Sequence, residues 1–189
     1  KQVISNYDGE RDLRTNNNGY IRMGGKVLVE QFHPGNHEEK SFTTYLMPVN
    51  VSGGEILECY MTGRAGSTDN PQTVGDVRFW SNGGYIHKFL GAYMAPVNGN
   101  VKAEIHHAII DEFYGGGANA NKPVSGNIDV TVNHSLVDNY TGGPMVGDMN
   151  IGTHVTTAAE GTTFGNYYGG GYGGTSLARK TVYDGIHKV

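Results

Sequence analysis

The sequence holds a single cysteine, Cys59, in 189 residues, so no internal disulfide can form and no disulfide framework organises the chain. Charge is also sparse: 17% of residues are charged and the formal net charge is −4. Nucleic-acid binders carry a basic face, so nucleic acid is not an expected partner. No run reaches the roughly 18 consecutive apolar residues of a membrane-spanning helix, and no segment sustains a helical 3.6-residue apolar period. A basic-then-apolar leader is missing too. The chain opens at Lys1 and stops in mid-phrase at "YDGIHKV", which reads as a processed product or an excised piece of something longer.

What is abundant is glycine: 30 residues, about twice ordinary usage. The glycines have no three-residue period, which excludes collagen. The length suits one domain with a real core.

Two phrases recur. In the first, an aromatic precedes a glycine cluster: Phe89 in "IHKFLGAY", Phe113 in "IDEFYGGG", Tyr140 in "VDNYTGGP" and Tyr167 in "FGNYYGGGY", with Tyr60 in "LECYMTG" as a weaker fifth copy. The spacing of these aromatics, about 24–29 residues, falls in the range of solenoid repeats. The second phrase starts at Gly75 ("GDVRFW"), Gly99 ("GNVKAEI"), Gly126 ("GNIDVTV") and Gly147 ("GDMNIGT"). Its period, about 21–27 residues, is nearly the same, although the two phrases run out of phase. This second phrase alternates as a half-buried strand does. Val77 and Phe79, Val101 and Ala103, Ile128 and Val130, Met149 and Ile151 face one way, and Arg78, Lys102, Asp129 and Asn150 the other. The first phrase reads as a short apolar strand, a polar corner and a second strand: Ile109-Ile110, Asp111-Glu112, Phe113-Tyr114.

A unit this small cannot bury its own apolar side, but stacked copies share one core. The expected fold is therefore all-β, a right-handed parallel β-helix (β-solenoid) with coils of about 21–29 residues. A β-sandwich of hairpins is the alternative, although sandwich strands need not repeat in sequence. Glycines then mark corners needing positive φ, or places where coils approach closely. Residues 53–174 are the expected solenoid repeats. Residues 1–52 are less regular, with strands in 24–32 and 41–49, and form a cap or degenerate coils; residues 175–189 are a tail or the start of a further coil.

"TTFGNYYGGGYGG" (162–174) and "AIIDEFYGGGANA" (108–120) resemble the repeat of large glycine-rich right-handed β-helix proteins of the Bacteroidetes cell surface and secretome. The resemblance covers residues 54–174 and is best at Tyr167, Tyr168 and Gly169 to Gly171; the "KFLGAY" and "ECYMTG" coils depart from it. It implies a secreted or cell-surface bacterial protein and the fold, without implying an activity. Broader β-helix relatives include polysaccharide lyases, adhesins and tailspikes, and the fold does not choose among them.

Stacking turns repeats into columns about 4.8 Å apart per coil. Two residues before each aromatic the column reads Glu58, His87, Asp111, Asp138, Gly165. Neighbouring Asp111 and Asp138 would share a proton or a cation, as in a Ca²⁺ site or a glycosidic acid/base pair. The plainer reading is that these side chains bond local backbone, as Asx-turns do, with no cofactor. The next column, Cys59, Lys88, Glu112, Asn139, Asn166, reads as a solvated edge. A lyase-like reading recruits Arg78 or Lys102 as base or charge stabiliser, provided it shares a face with the carboxylates; the plainer one pairs Lys102 with Asp129 across strands. His107 and His134 hold equivalent positions and would stack loosely. His33 and His37, with Glu38 and Glu39, lack a defined zinc spacing. Tyr93, Tyr114, Tyr168 and Tyr172 gather round the glycine corners, where exposed rings beside polar neighbours suit a sugar.

Three functions follow as expectations. The first is a non-catalytic scaffold or binding module with a glycan or surface protein as partner. The second is a β-helix polysaccharide lyase or hydrolase using Asp111 and Asp138 with Lys102 or Arg78. The third is a spacer or filament subunit that self-associates end to end through its open coils.

Overall fold

The computed structural model describes residues 2–4, 21–33, 49–62, 76–93, 97–118, 124–146 and 154–171. They contain only strands as regular structure: β1 (Gln2–Ile4), β2 (Ile21–Met23), β3 (Leu28–His33), β4 (Val49–Val51), β5 (Glu55–Tyr60), β6 (Val77–Asn82), β7 (Tyr85–Ala92), β8 (Val101–His106), β9 (Ile109–Gly117), β10 (Ile128–Asn133), β11 (Leu136–Thr141), β12 (Val155–Glu160) and β13 (Thr163–Tyr168). Odd-numbered strands form one sheet in the order β1-β3-β5-β7-β9-β11-β13, and even-numbered strands the other, β12-β10-β8-β6-β4-β2. Every paired strand is parallel. The chain alternates between the sheets and advances one strand on each return, which is a parallel β-solenoid. Among the described residues no helix is long and apolar enough to cross a membrane.

The even sheet follows the period-2 rule. β6, β8 and β10 bury Val77 and Phe79, Val101 and Ala103, Ile128 and Val130, while Arg78, Lys102 and Asp129 stay exposed. The next strand in register is β12, with Val155 opposite Ile128 and Thr157 opposite Val130. Thr156 stands opposite Asp129. Met149, Asn150 and Ile151, expected in these columns from the sequence, fall within 147–153, outside the described residues. The short last interval of the second phrase comes from a glycine phrase at Gly147 that looks like the others; the coil itself runs from Ile128 to Val155.

The odd sheet breaks strict alternation. In β7, β9 and β11 the buried residues come three apart: Ile86 and Phe89, Ile110 and Phe113, Val137 and Tyr140. Two outward residues separate them, and parallel pairing skips the first of these, His87, Asp111 and Asp138. Asp111-Glu112 thus lies inside one continuous strand, Ile109–Gly117, and does not divide it into the two short strands and corner expected from the sequence; its polarity reflects two successive outward positions. Register runs through Phe32, Cys59, Phe89, Phe113, Tyr140 and Tyr167, so the coil from Cys59 to Phe89 is the longest and that from Phe89 to Phe113 the shortest. Cys59, not Tyr60, thus occupies the aromatic column and is buried. Glu58 moves to the outward column with Lys88 and Glu112, so Cys59 is no part of a solvated edge.

The core lies between the sheets. Phe89 stacks on Phe113 with centroids 4.7 Å apart, Phe113 on Tyr140 at 5.2 Å and Tyr140 on Tyr167 at 5.0 Å, all with nearly parallel ring planes. Each such pair adds about 0.5–1.5 kcal/mol beyond area burial. The Tyr140 hydroxyl hydrogen-bonds Thr157 Oγ1 at 2.6 Å, tying β11 to β12 through the interior. After the aromatic, a column of glycines lets backbones close up. A Cβ on Gly91 would run into the Gly115 carbonyl, and one on Gly115 into the Gly142 carbonyl.

Candidate functional site

Two outward-facing clusters carry chemistry, one on each sheet. On the even sheet, register places Arg78, Lys102 and Asp129 side by side on β6, β8 and β10, with Trp80 two residues beyond Arg78. Because Val77 and Phe79 point inward, period 2 turns Arg78 and Trp80 outward. Trp80 keeps 38% of its surface exposed. These residues, with Asp76 and Asn100, line a cleft of about 290 Å³. Its rim is fixed by a ladder at the strand entrances. The Asn100 backbone N–H donates to Asp76 Oδ1 at 2.9 Å, and the Asn127 N–H donates to Asn100 Oδ1 at 2.9 Å. Lys102 and Asp129 are register neighbours as expected, but the Lys102 ammonium turns along its own strand to Glu104 Oε1, 3.3 Å away. The cleft therefore combines a flat indole face with charged donors and a carboxylate acceptor.

On the odd sheet, Glu55, His87 and Asp111 link three adjacent strands. His87 Nε2 lies 2.8 Å from Glu55 Oε1, and His87 Nδ1 lies 2.9 Å from Asp111 Oδ2. The Tyr85 hydroxyl donates to the Asp111 carboxylate at 2.8–2.9 Å, and its ring lies over His87 at 4.1 Å. The hydrogen bond to Glu55 raises the His87 pKa above its ordinary value; partial burial opposes this and the Asp111 carboxylate adds to it. The Asp111 hydrogen bond likewise raises the Tyr85 pKa. Both imidazole nitrogens are engaged, so neither is open to take a proton from a substrate.

Asp138 stands level with Asp111 on the next strand, but the two carboxylates turn apart. Asp111 reaches back to Tyr85 and His87 on β7. Asp138 accepts from Asn139 Nδ2 at 3.1 Å and leans over Gly165, where a side chain would meet its Oδ1 at 2.5 Å. Arg78 and Lys102 belong to the other sheet. The convergence of these acids with Arg78 or Lys102 that a lyase needs is not formed. Among the described residues no group of three or more His, Cys, Asp or Glu is arranged to hold a metal ion.

Among the described residues the candidate tyrosines do not make one row. Tyr93 is half-buried, stacked on Tyr60 at 4.2 Å, and its N–H donates to Thr62 Oγ1. Tyr114 lies 6.0 Å from Lys88 Nζ. Tyr168, 43% exposed, is two strands from Tyr114 with buried Thr141 between them. Tyr172, His37, Glu38 and Glu39 lie outside the described residues; His33 is buried against Tyr60 and Tyr93. Sequence reasoning missed Trp80. Its signal was its outward parity in "VRFW", one residue after inward Phe79. No protein-family model matches the chain, and no significant match is found among curated proteins or solved structures.

Proposed function

We propose that this β-solenoid is a secreted or cell-surface binding module that takes a glycan in the cleft on the outer face of the even-numbered sheet. The observation that carries the reading is Trp80, exposed within a cleft lined by Arg78, Lys102, Asp129 and Asn100. An indole face packs on the apolar face of a sugar ring, and flanking donors and acceptors bond its hydroxyls. The Asn100 side chain is held by its bond to the Asn127 N–H before a ligand arrives, which lowers the ordering cost of binding at that position. The resemblance of "NYYGGGYGG" to glycine-rich repeats of Bacteroidetes surface proteins supports the location. Turnover is not part of the proposal, because Asp111 and Asp138 lie on the opposite sheet from Arg78 and Lys102.

The test is a glycan array on the intact chain, followed by titration of any hit with the wild type, Trp80→Ala and Asp111→Ala. Saturable binding lost in Trp80→Ala and kept in Asp111→Ala supports the reading. Release of reducing or unsaturated sugar that disappears in Asp111→Ala would replace it with the enzyme. Binding of a surface protein with no glycan retained would replace the ligand class.

A further inference from the structure

The corner leading from the even sheet into the odd sheet repeats on successive coils, and one column of it has left-handed backbone. Its occupants are Gly25, Gly53, Gly83, His107, His134 and Gly161, with φ of 77°, 154°, 104°, 53°, 50° and 58°. Glycine takes these angles without steric cost, whereas a residue with a Cβ is strained there. His107 and His134 are the two non-glycine residues of positive φ among the described residues, and they stand at the same corner on adjacent coils. Both are exposed. Their imidazoles lie together, centroids 5.4 Å apart and tilted by 31°. The next coil returns to glycine and so leaves room for a ring. A Cβ at Gly161 would meet His134 Cδ2 at 3.1 Å.

The geometry points to a two-imidazole site for a borderline divalent metal ion, Zn²⁺ or Ni²⁺, held by His107 and His134 at the solvent edge of this corner. Imidazole is a favoured ligand for such ions. Two nitrogens on one ion stand at most about 4 Å apart, twice a metal–nitrogen bond of about 2.0–2.1 Å. Centroids at 5.4 Å bring the facing ring edges inside that limit once the rings turn toward each other. Water completes the coordination, since no third His, Cys, Asp or Glu joins the pair among the described residues. With only two protein ligands the affinity is correspondingly modest. Strained histidines persist where the corner itself favours glycine, and a shared ligand gives that strain a function.

The experiment is calorimetric titration of the intact chain with ZnCl₂ and with NiCl₂, alongside NMR of the imidazole ring signals. The comparison uses His107→Gly, His134→Gly and the double variant; glycine already fills this corner on other coils, so the variants keep the fold. The expected result is one ion per chain, perturbed ring signals for both residues, and an affinity loss of roughly tenfold or more in each single variant. Unchanged binding in the double variant assigns the ion to other histidines and overturns the proposal. So does an absence of metal binding by the wild type.

Discussion

His87 Nδ1 stands 2.9 Å from the Asp111 carboxylate while Nε2 of the same ring stands 2.8 Å from Glu55, so one imidazole bridges three strands of the odd sheet. The arrangement favours the protonated ring, and its folded pKa is raised from 6.5. A raised folded pKa means stability fully present below about pH 6.5 and lost as pH rises through the folded value. All three side chains are about a third or more exposed, which limits the effect to about 0.2–1 kcal/mol. Denaturant midpoints from about pH 5.5 to about pH 8.5 should fall with rising pH in the wild type. The slope should flatten in His87→Gln. An identical slope in the variant would mean that the bridge does not form in solution.

Phe113 sits in the middle of a ring column, with Phe89 on one side and Tyr140 on the other, and is fully buried. Phe113→Ala removes both stacking partners' contacts at once and leaves a cavity between coils that backbone pairing prevents from collapsing. The expected loss is about 3–5 kcal/mol in urea denaturation. Phe113→Leu retains most of the buried volume and should cost less than about 2 kcal/mol. Equal losses in the two variants would show that ring volume at this position does not matter.

These two cases show what the sequence made legible. The recurrence of inward aromatics from Phe89 to Tyr167 is readable because stacking copies the same environment on every coil. That is enough for the fold and the face to which Arg78, Lys102 and Asp129 belong, whereas the corner expected at Asp111-Glu112 is two outward positions within one strand. It fails where a coil fills the column with something else. Cys59 stands in for a ring at the start of the longest coil, and the nearest aromatic, Tyr60, lies one position out of register. Val155 and Thr157 continue the even sheet in a strand, "VTTAAE", too weakly apolar to stand out beside a glycine phrase. Columns also do not say which way a side chain leans along the stack. Asp111 and Asp138 share a column, yet Tyr85 and His87 draw the first carboxylate toward β7. The exposed Trp80 is within reach of the alternation rule, but a reading centred on the glycine corners leads to tyrosines instead.

Glycines at different corners should respond differently to alanine. At Gly115 the added Cβ meets the Gly142 carbonyl and, at 2.7 Å, Ile128 Cγ2; the first obstacle is backbone and cannot swing away. Gly115→Ala should therefore cost about 3 kcal/mol or more, at or beyond the upper end of overpacking. At Gly25 nothing lies within 4 Å of an added Cβ, and only the φ of 77° opposes it. Gly25→Ala should cost about 1–2 kcal/mol. Thermal or urea denaturation of the two variants separates close approach from backbone strain, and a larger loss at Gly25 would reverse the assignment.

Cys59 offers a direct probe of register. As a member of an outward column its thiol would meet solvent and react with a disulfide reagent within the mixing time. In the inward column it pairs with Phe89, fully buried, and burial pushes its pKa far above the ordinary thiol range. Both the low thiolate fraction and the lack of access suppress attack. Labelling of the native chain should thus be slow, and the rate should rise with denaturant in step with unfolding. At low reagent it should follow the equilibrium population of open molecules. Rapid stoichiometric labelling without denaturant would place Cys59 outside the core and shift the first odd-sheet coils by one residue. Because a one-residue slip moves every side chain of a strand to the other face, this single thiol tests the alignment of β5 with β3 and β7, on which the longest coil depends.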